Sequence, residues 1–163
     1  MNQSDLRTLY EYNYWATARI LRASARLTAA QFCAAAEHSH GGLRGTLVHM
    51  LDAEYGWRMF CQHNAPSPII DEAEFPTAAA LQARWLEEEQ AMRAYLATLD
   101  AADLQQPLPD GDGASAGSRL LWHALFHVIN HGTQHRSEAA AILTTLGASP
   151  GDLDFTRFLG AEE

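Results

Sequence analysis

The chain has 163 residues, 47% of them hydrophobic and 19% charged, which suits one globular domain spanning residues 1–163 with a core of its own. Its formal net charge is −9 and its 11 Lys and Arg form no run, so a surface for nucleic-acid phosphates is not expected. No apolar stretch approaches the ~18 residues of a membrane span, and MNQSDLRTLYEYNYW lacks the basic-then-apolar pattern of a secretory signal, so a cytoplasmic protein with no membrane partner is expected.

The periodicity predicts a first helix over residues 4–25, with Ser4 as N-cap and Leu6, Leu9, Tyr10, Asn13, Tyr14, Thr17 and Leu21 recurring at three- and four-residue steps. A second helix follows the Gly41-Gly42 break, over 43–62. A third, over 77–99, is rich in Ala, Leu, Glu and Gln and can be capped by Thr77; its run Glu87 to Glu89 reads as a solvated face. A fourth, over 118–146, stops at Gly147, with Pro150 beyond. Residues 100–117 hold Asp110-Gly111 and Asp112-Gly113, turn signals that suit a small hairpin. In the tail, Leu153, Phe155, Phe158 and Leu159 are expected to pack on the helices. Four amphipathic helices make an all-α four-helix bundle the default architecture. Cys33 and Cys61 form no CxxC pair and are expected to be reduced core residues.

The chemistry gathers on the fourth helix, in LWHALFHVINHGTQHRSEAAAILTTLG, where His123, His127, His131 and His135 follow at four-residue steps. Each step turns about 40° round the axis and rises about 6 Å, so neighbours share a face but the first and last stand about 18 Å apart. The apolar face of Leu120, Leu121, Ala124, Leu125, Val128, Ala139, Ile142, Leu143 and Leu146 selects among them. His135 falls near its centre and His131 about 60° away, with His127 at the edge and His123 outside. Unpaired imidazoles there are costly, and a metal site in the bundle core removes that cost. Two ligands do not define a site, so a hydrogen-bonded core pair fits this helix equally well.

Helix two, GGLRGTLVHMLDAEYGWRMF, puts His49 on the flank of its apolar face, near the small residues Ala53 and Gly56. Glu54 lies close to the centre of that face, and a buried carboxylate needs a partner. A metal, an imidazole N–H, a tyrosine or an arginine would each serve. His38, His40 and His63 lie near helix ends and are expected to be exposed. Trp57, Trp85 and Trp122 suit either the core or an interface.

Taken together, YNYWATARIL, GTLVHMLDAEYGW, HVINHGTQHR and GDLDFTRFL resemble the DinB-like family of metal-binding bundles, which includes YfiT-like proteins and bacterial thiol S-transferases, over almost the whole chain. The resemblance implies an up-down-down-up bundle, often a homodimer. It also implies one divalent metal, usually nickel or zinc, on His49, His131 and His135. His127 and Asn130 match recurrent positions and read as supporting residues. The family often continues its motif as His-Arg-Gly-Gln where this chain has His135-Arg136-Ser137-Glu138, which places a carboxylate one turn from His135. Three neutral histidines leave an open position, which suits catalysis better than a closed structural site. With its thiol S-transferase members, the resemblance implies a metal-dependent thiol S-transferase or hydrolase. It would act on a small electrophile, with a low-molecular-weight thiol as co-substrate, in detoxification or stress response. A non-catalytic metal or small-ligand binding protein, and a bundle whose histidines are only structural, are the alternatives. Glu54 and Glu138 are the nearest candidates for a catalytic acid or base.

Overall fold

The first helix, α1, begins where Asn2 caps it. The Asn2 side chain accepts from the Asp5 amide at 2.9 Å and the Asp5 carboxylate accepts from the Asn2 amide at 3.0 Å. This reciprocal pair starts α1 at Gln3 and takes the capping role that the sequence assigned to Ser4. In the computed structural model, which describes residues 1–37, 40–108 and 119–160, α1 spans Gln3–Ser24 and a short α2 spans Ala29–Phe32. Three further long helices follow: α3 over Leu43–His63, α4 over Ala78–Thr98 and α5 over Leu121–Thr145. The last helix, α6, covers Phe155–Leu159. Thr77 caps α4 as expected, accepting from the Ala80 amide at 3.2 Å. At the end of α5 Gly147 takes φ of 73°, which lets the Ala148 amide fold back onto the Leu143 carbonyl. The Asp-Gly pairs lie outside the described residues; on either side of them, Pro107 and Leu120 form an antiparallel bridge.

Cross-helix pairs give the topology. Gln3 reaches Leu99 while Glu11 pairs with Arg93, so α1 and α4 are antiparallel. Tyr10 bonds the Leu125 carbonyl while Asn13 meets Arg136, so α1 and α5 run parallel. His49 faces His135 while Trp57 faces His127, so α3 opposes α5. Tyr55 lies under Arg84 while Arg58 pairs with Glu88, so α3 and α4 are parallel. The order is therefore up, down, down, up, and no helix among the described residues is long and apolar enough to cross a membrane.

Two apolar clusters fill the bundle. One holds Ile20, Leu47, Leu51, Leu81, Trp85, Ala139 and Leu143, and the other Leu6, Tyr10, Met92, Tyr95, Leu125 and Val128. Between them the helices place Asn13, Thr17, Glu54, Arg58, Glu88, His135 and Arg136, all buried. This polar layer is internally paired. Arg58 donates to Glu88 at 2.5 and 2.9 Å. Tyr14 and Asn13 donate to Glu54 at 2.8 and 3.3 Å, and Arg136 donates to Asn13 and to Thr133. Glu88, read from the sequence as part of a solvated run, is 1% exposed because Arg58 crosses from α3 to meet it. In the tail, Phe158 is buried and Phe155 packs edge-on against Tyr12, but Leu159 is 50% exposed and leaves the cluster expected for it. Cys33 and Cys61 are free and half-buried rather than in the core.

Candidate metal centre

At the edge of the polar layer α3 and α5 bring three imidazoles together. The antiparallel crossing sets His49 against both His131 and His135, with ring centroids 4.9 and 4.8 Å away, and the two α5 rings are 4.4 Å apart. The Nε2 atoms of His49 and His131 are separated by 3.0 Å. Two nitrogens each about 2.1 Å from one ion lie about 3.0 Å apart at a right angle and about 3.4 Å apart at the tetrahedral angle. The pair is therefore spaced as ligands of a single ion are; the same distance also suits an N–H···N bond between neutral rings. His135 is buried and the other two are half-buried.

Electrostatics keep these rings ready to bind. Burial, then the proximity of His135 and His49, lowers the His131 pKa to about 4. His49 is lowered by burial first, then by the proximity of His40 and His135. A neutral imidazole is the form that ligates, so His49 and His131 offer lone pairs at neutral pH without first losing protons. His135 Nδ1 lies 2.9 Å from Glu138 Oε2. A carboxylate only accepts, so Nδ1 is the donor in this contact, and Nε2 is the nitrogen left to face an ion. Glu138 thus contacts a histidine of the set, on the helix turn where the family motif differs.

One member of the cluster escapes the sequence reading. His40, expected to be exposed, is half-buried, with its ring stacked on His49 at 3.8 Å and edge-on to His135 at 5.0 Å. One nitrogen each from His40, His49 and His135 lies within 4.8 Å of the others. Glycines bring it there. Gly41 and Gly42 take φ of 73° and 148°, and a Cβ on Gly45 would overlap the His40 carbonyl oxygen. The legible signal is the glycine pattern around His40, not a helical period. His63 is exposed as expected, and His38 lies outside the described residues.

Of the remaining sequence candidates, His127 is exposed, packs edge-on against Trp57 at 5.3 Å and has its ring 5.7 Å from that of His131, and Asn130 is exposed. His123 Nδ1 accepts from the Leu120 amide at 3.1 Å at the start of α5. Trp85 belongs to the core, whereas Trp57 and Trp122 are half-buried. Glu54 is 4% exposed, and its oxygens are taken by Tyr14 and Asn13, the tyrosine partnership being one of the roles open to it from the sequence. Burial raises its pKa to about 7, with Glu88 adding to the rise and Tyr14, Asn13 and Arg136 opposing it.

The donor set, several imidazoles with one carboxylate behind them, fits a divalent metal ion. In comparison with known protein families, residues 1–163 match the DinB family. No curated protein matches the chain.

Proposed function

The chain belongs to the DinB family, and from that premise we propose that it holds one divalent ion, nickel or zinc, on His49, His131 and His135 and transfers a low-molecular-weight thiol to a small electrophile, or hydrolyses such an electrophile. The observation that carries the reading is the 3.0 Å approach of His49 and His131 Nε2, with the His135 ring beside both.

A divalent ion at these nitrogens supplies Lewis acidity toward a thiol, water or carbonyl. The chain's own residues do the rest. Glu138 holds the His135 tautomer and ring angle through Nδ1. Arg136, 2% exposed and bonded to Asn13 and Thr133, anchors the turn of α5 that carries His135. Glu54 braces Tyr14 and Asn13 and so acts as a support within the layer rather than as a catalytic residue. Glu138, half-buried at the rim, is the better placed acid or base of the two. A cytoplasmic homodimer with a role in detoxification or stress response completes the proposal, and native mass measurement tests its dimeric part.

The test is turnover by zinc- and nickel-loaded protein against a panel of small thiols with alkylating electrophiles and of small esters. The proposal expects activity in wild type that His135→Ala abolishes. Turnover unchanged by His135→Ala would refute it. The half-buried His40 beside the cluster favours a second reading, a metal-binding protein without catalysis, which predicts metal uptake and no turnover across the whole panel.

A further inference from the structure

We propose that His40 is a fourth nitrogen donor to the same ion, carried on the glycine-rich loop between α2 and α3 and pulled inward when the metal binds. The inference rests on the metal reading above and extends it to a residue that neither the helical pattern nor the resemblance singles out.

The two ends of the loop bring His40 beside the cluster. The Ala36 amide donates to the Gly41 carbonyl at 2.8 Å, and Ala35 bridges Gly42. A Cβ on Gly42 would come within 2.5 Å of the Ala34 carbonyl oxygen, and one on Gly45 would overlap the His40 carbonyl. Only glycine at both places lets the loop backbone lie against the first turn of α3. The result is an imidazole stacked on His49 with an interplanar angle of 15° and standing edge-on to His135.

The separation is slightly wider than that between ligands of one ion. Nitrogens of His40, His49 and His135 lie within 4.8 Å of one another. Nitrogens sharing one ion lie about 3.0–3.4 Å apart, so the set draws together by at most about 1.5 Å when an ion is held. Behind it, a cavity of about 160 Å³ lined by Cys33, His40, Gly42, Arg44, Gly45 and Glu72 leaves the loop side of His40 loosely packed. His49, His131 and His135 are set by two long packed helices, so the loop residue is the one that adjusts.

Cobalt(II) titration of metal-free full-length protein tests this, read as visible absorption and as zinc affinity by chelator competition. His40→Phe keeps a stacked ring but removes the donor, and His40→Ala removes both. The expected result is that both variants still bind the ion, with affinity lowered by roughly 10–100-fold and with an altered cobalt spectrum. Gly45→Ala, which leaves His40 intact but pushes its carbonyl away, should shift affinity and spectrum in the same direction. Wild-type affinity and spectrum in His40→Phe would overturn the inference while leaving the three-histidine site standing. Failure of wild type to take up cobalt or zinc would overturn the metal reading and this inference with it.

Discussion

Replacing Glu54 by Gln should make the bundle more stable at pH 8 and remove a pH dependence that wild type shows. Glu54 is enclosed by Tyr14 and Asn13 from α1, Glu88 from α4 and Arg136 from α5, and burial lifts its pKa from 4.5 to about 7. Between those two values the folded chain keeps a proton that the unfolded chain has released. Stability is therefore full below pH 4.5 and falls as pH rises toward 7. At about 1.4 kcal/mol for each factor of ten, the loss amounts to about 3 kcal/mol. The amide that Glu54→Gln introduces has no charge to bury and retains an oxygen for the Tyr14 hydroxyl. For a chain of this size the gain at pH 8 corresponds to roughly 6–12 °C in Tm. His40, His49 and His131 have lowered pKa values and act in the opposite sense, adding stability as pH rises toward 6.5. The quantity to measure is thus the difference between wild type and Glu54→Gln in chelator, by urea unfolding at pH 4.5, 6 and 8. Profiles that run parallel across this range would refute the assignment of a protonated buried carboxyl.

Breaking the other buried pair should be costly. Glu88→Gln leaves the Arg58 guanidinium inside the bundle without its counter-ion and should lose about 3–5 kcal/mol by urea unfolding, while Arg58→Met with Glu88→Leu should recover most of that. Gly132→Ala places a Cβ 2.8 Å from an Arg136 guanidinium nitrogen and 3.0 Å from Asn13 Oδ1. The resulting strain of about 1–3 kcal/mol should outweigh the roughly 1 kcal/mol helical advantage of alanine, lowering Tm. Burial pushes the Cys61 thiol up to about 12, so brief iodoacetamide treatment at pH 8 should modify Cys33 and spare Cys61, as peptide mass analysis would show.

The helices are legible wherever one face is continuously apolar. The period of α5 alone selects His131 and His135 from four equally spaced histidines, and both face α3. The period of α4 is weaker, because alanines blur its faces, and Glu88 passes for a surface residue inside a run of three glutamates. Its burial follows from an arginine on another helix, which no local pattern reveals. The up-down-down-up order comes from the family resemblance, since periodicity is blind to helix direction. His40 escapes for a related reason: a loop side chain carries no phase, and its position depends on Gly45, in the first turn of the next helix. The capping of α1 by Asn2 rather than Ser4 comes down to Asp5, which returns the hydrogen bond to Asn2.

The most direct measurement is the metal content of protein purified without a nickel column, for wild type and His49→Ala, by elemental mass spectrometry. The account predicts about one equivalent of nickel or zinc per chain in wild type, lost in the variant. Wild-type protein that carries no metal, and takes none up after incubation with zinc, nickel and manganese, would contradict it and leave the histidine cluster as a hydrogen-bonded element of the bundle.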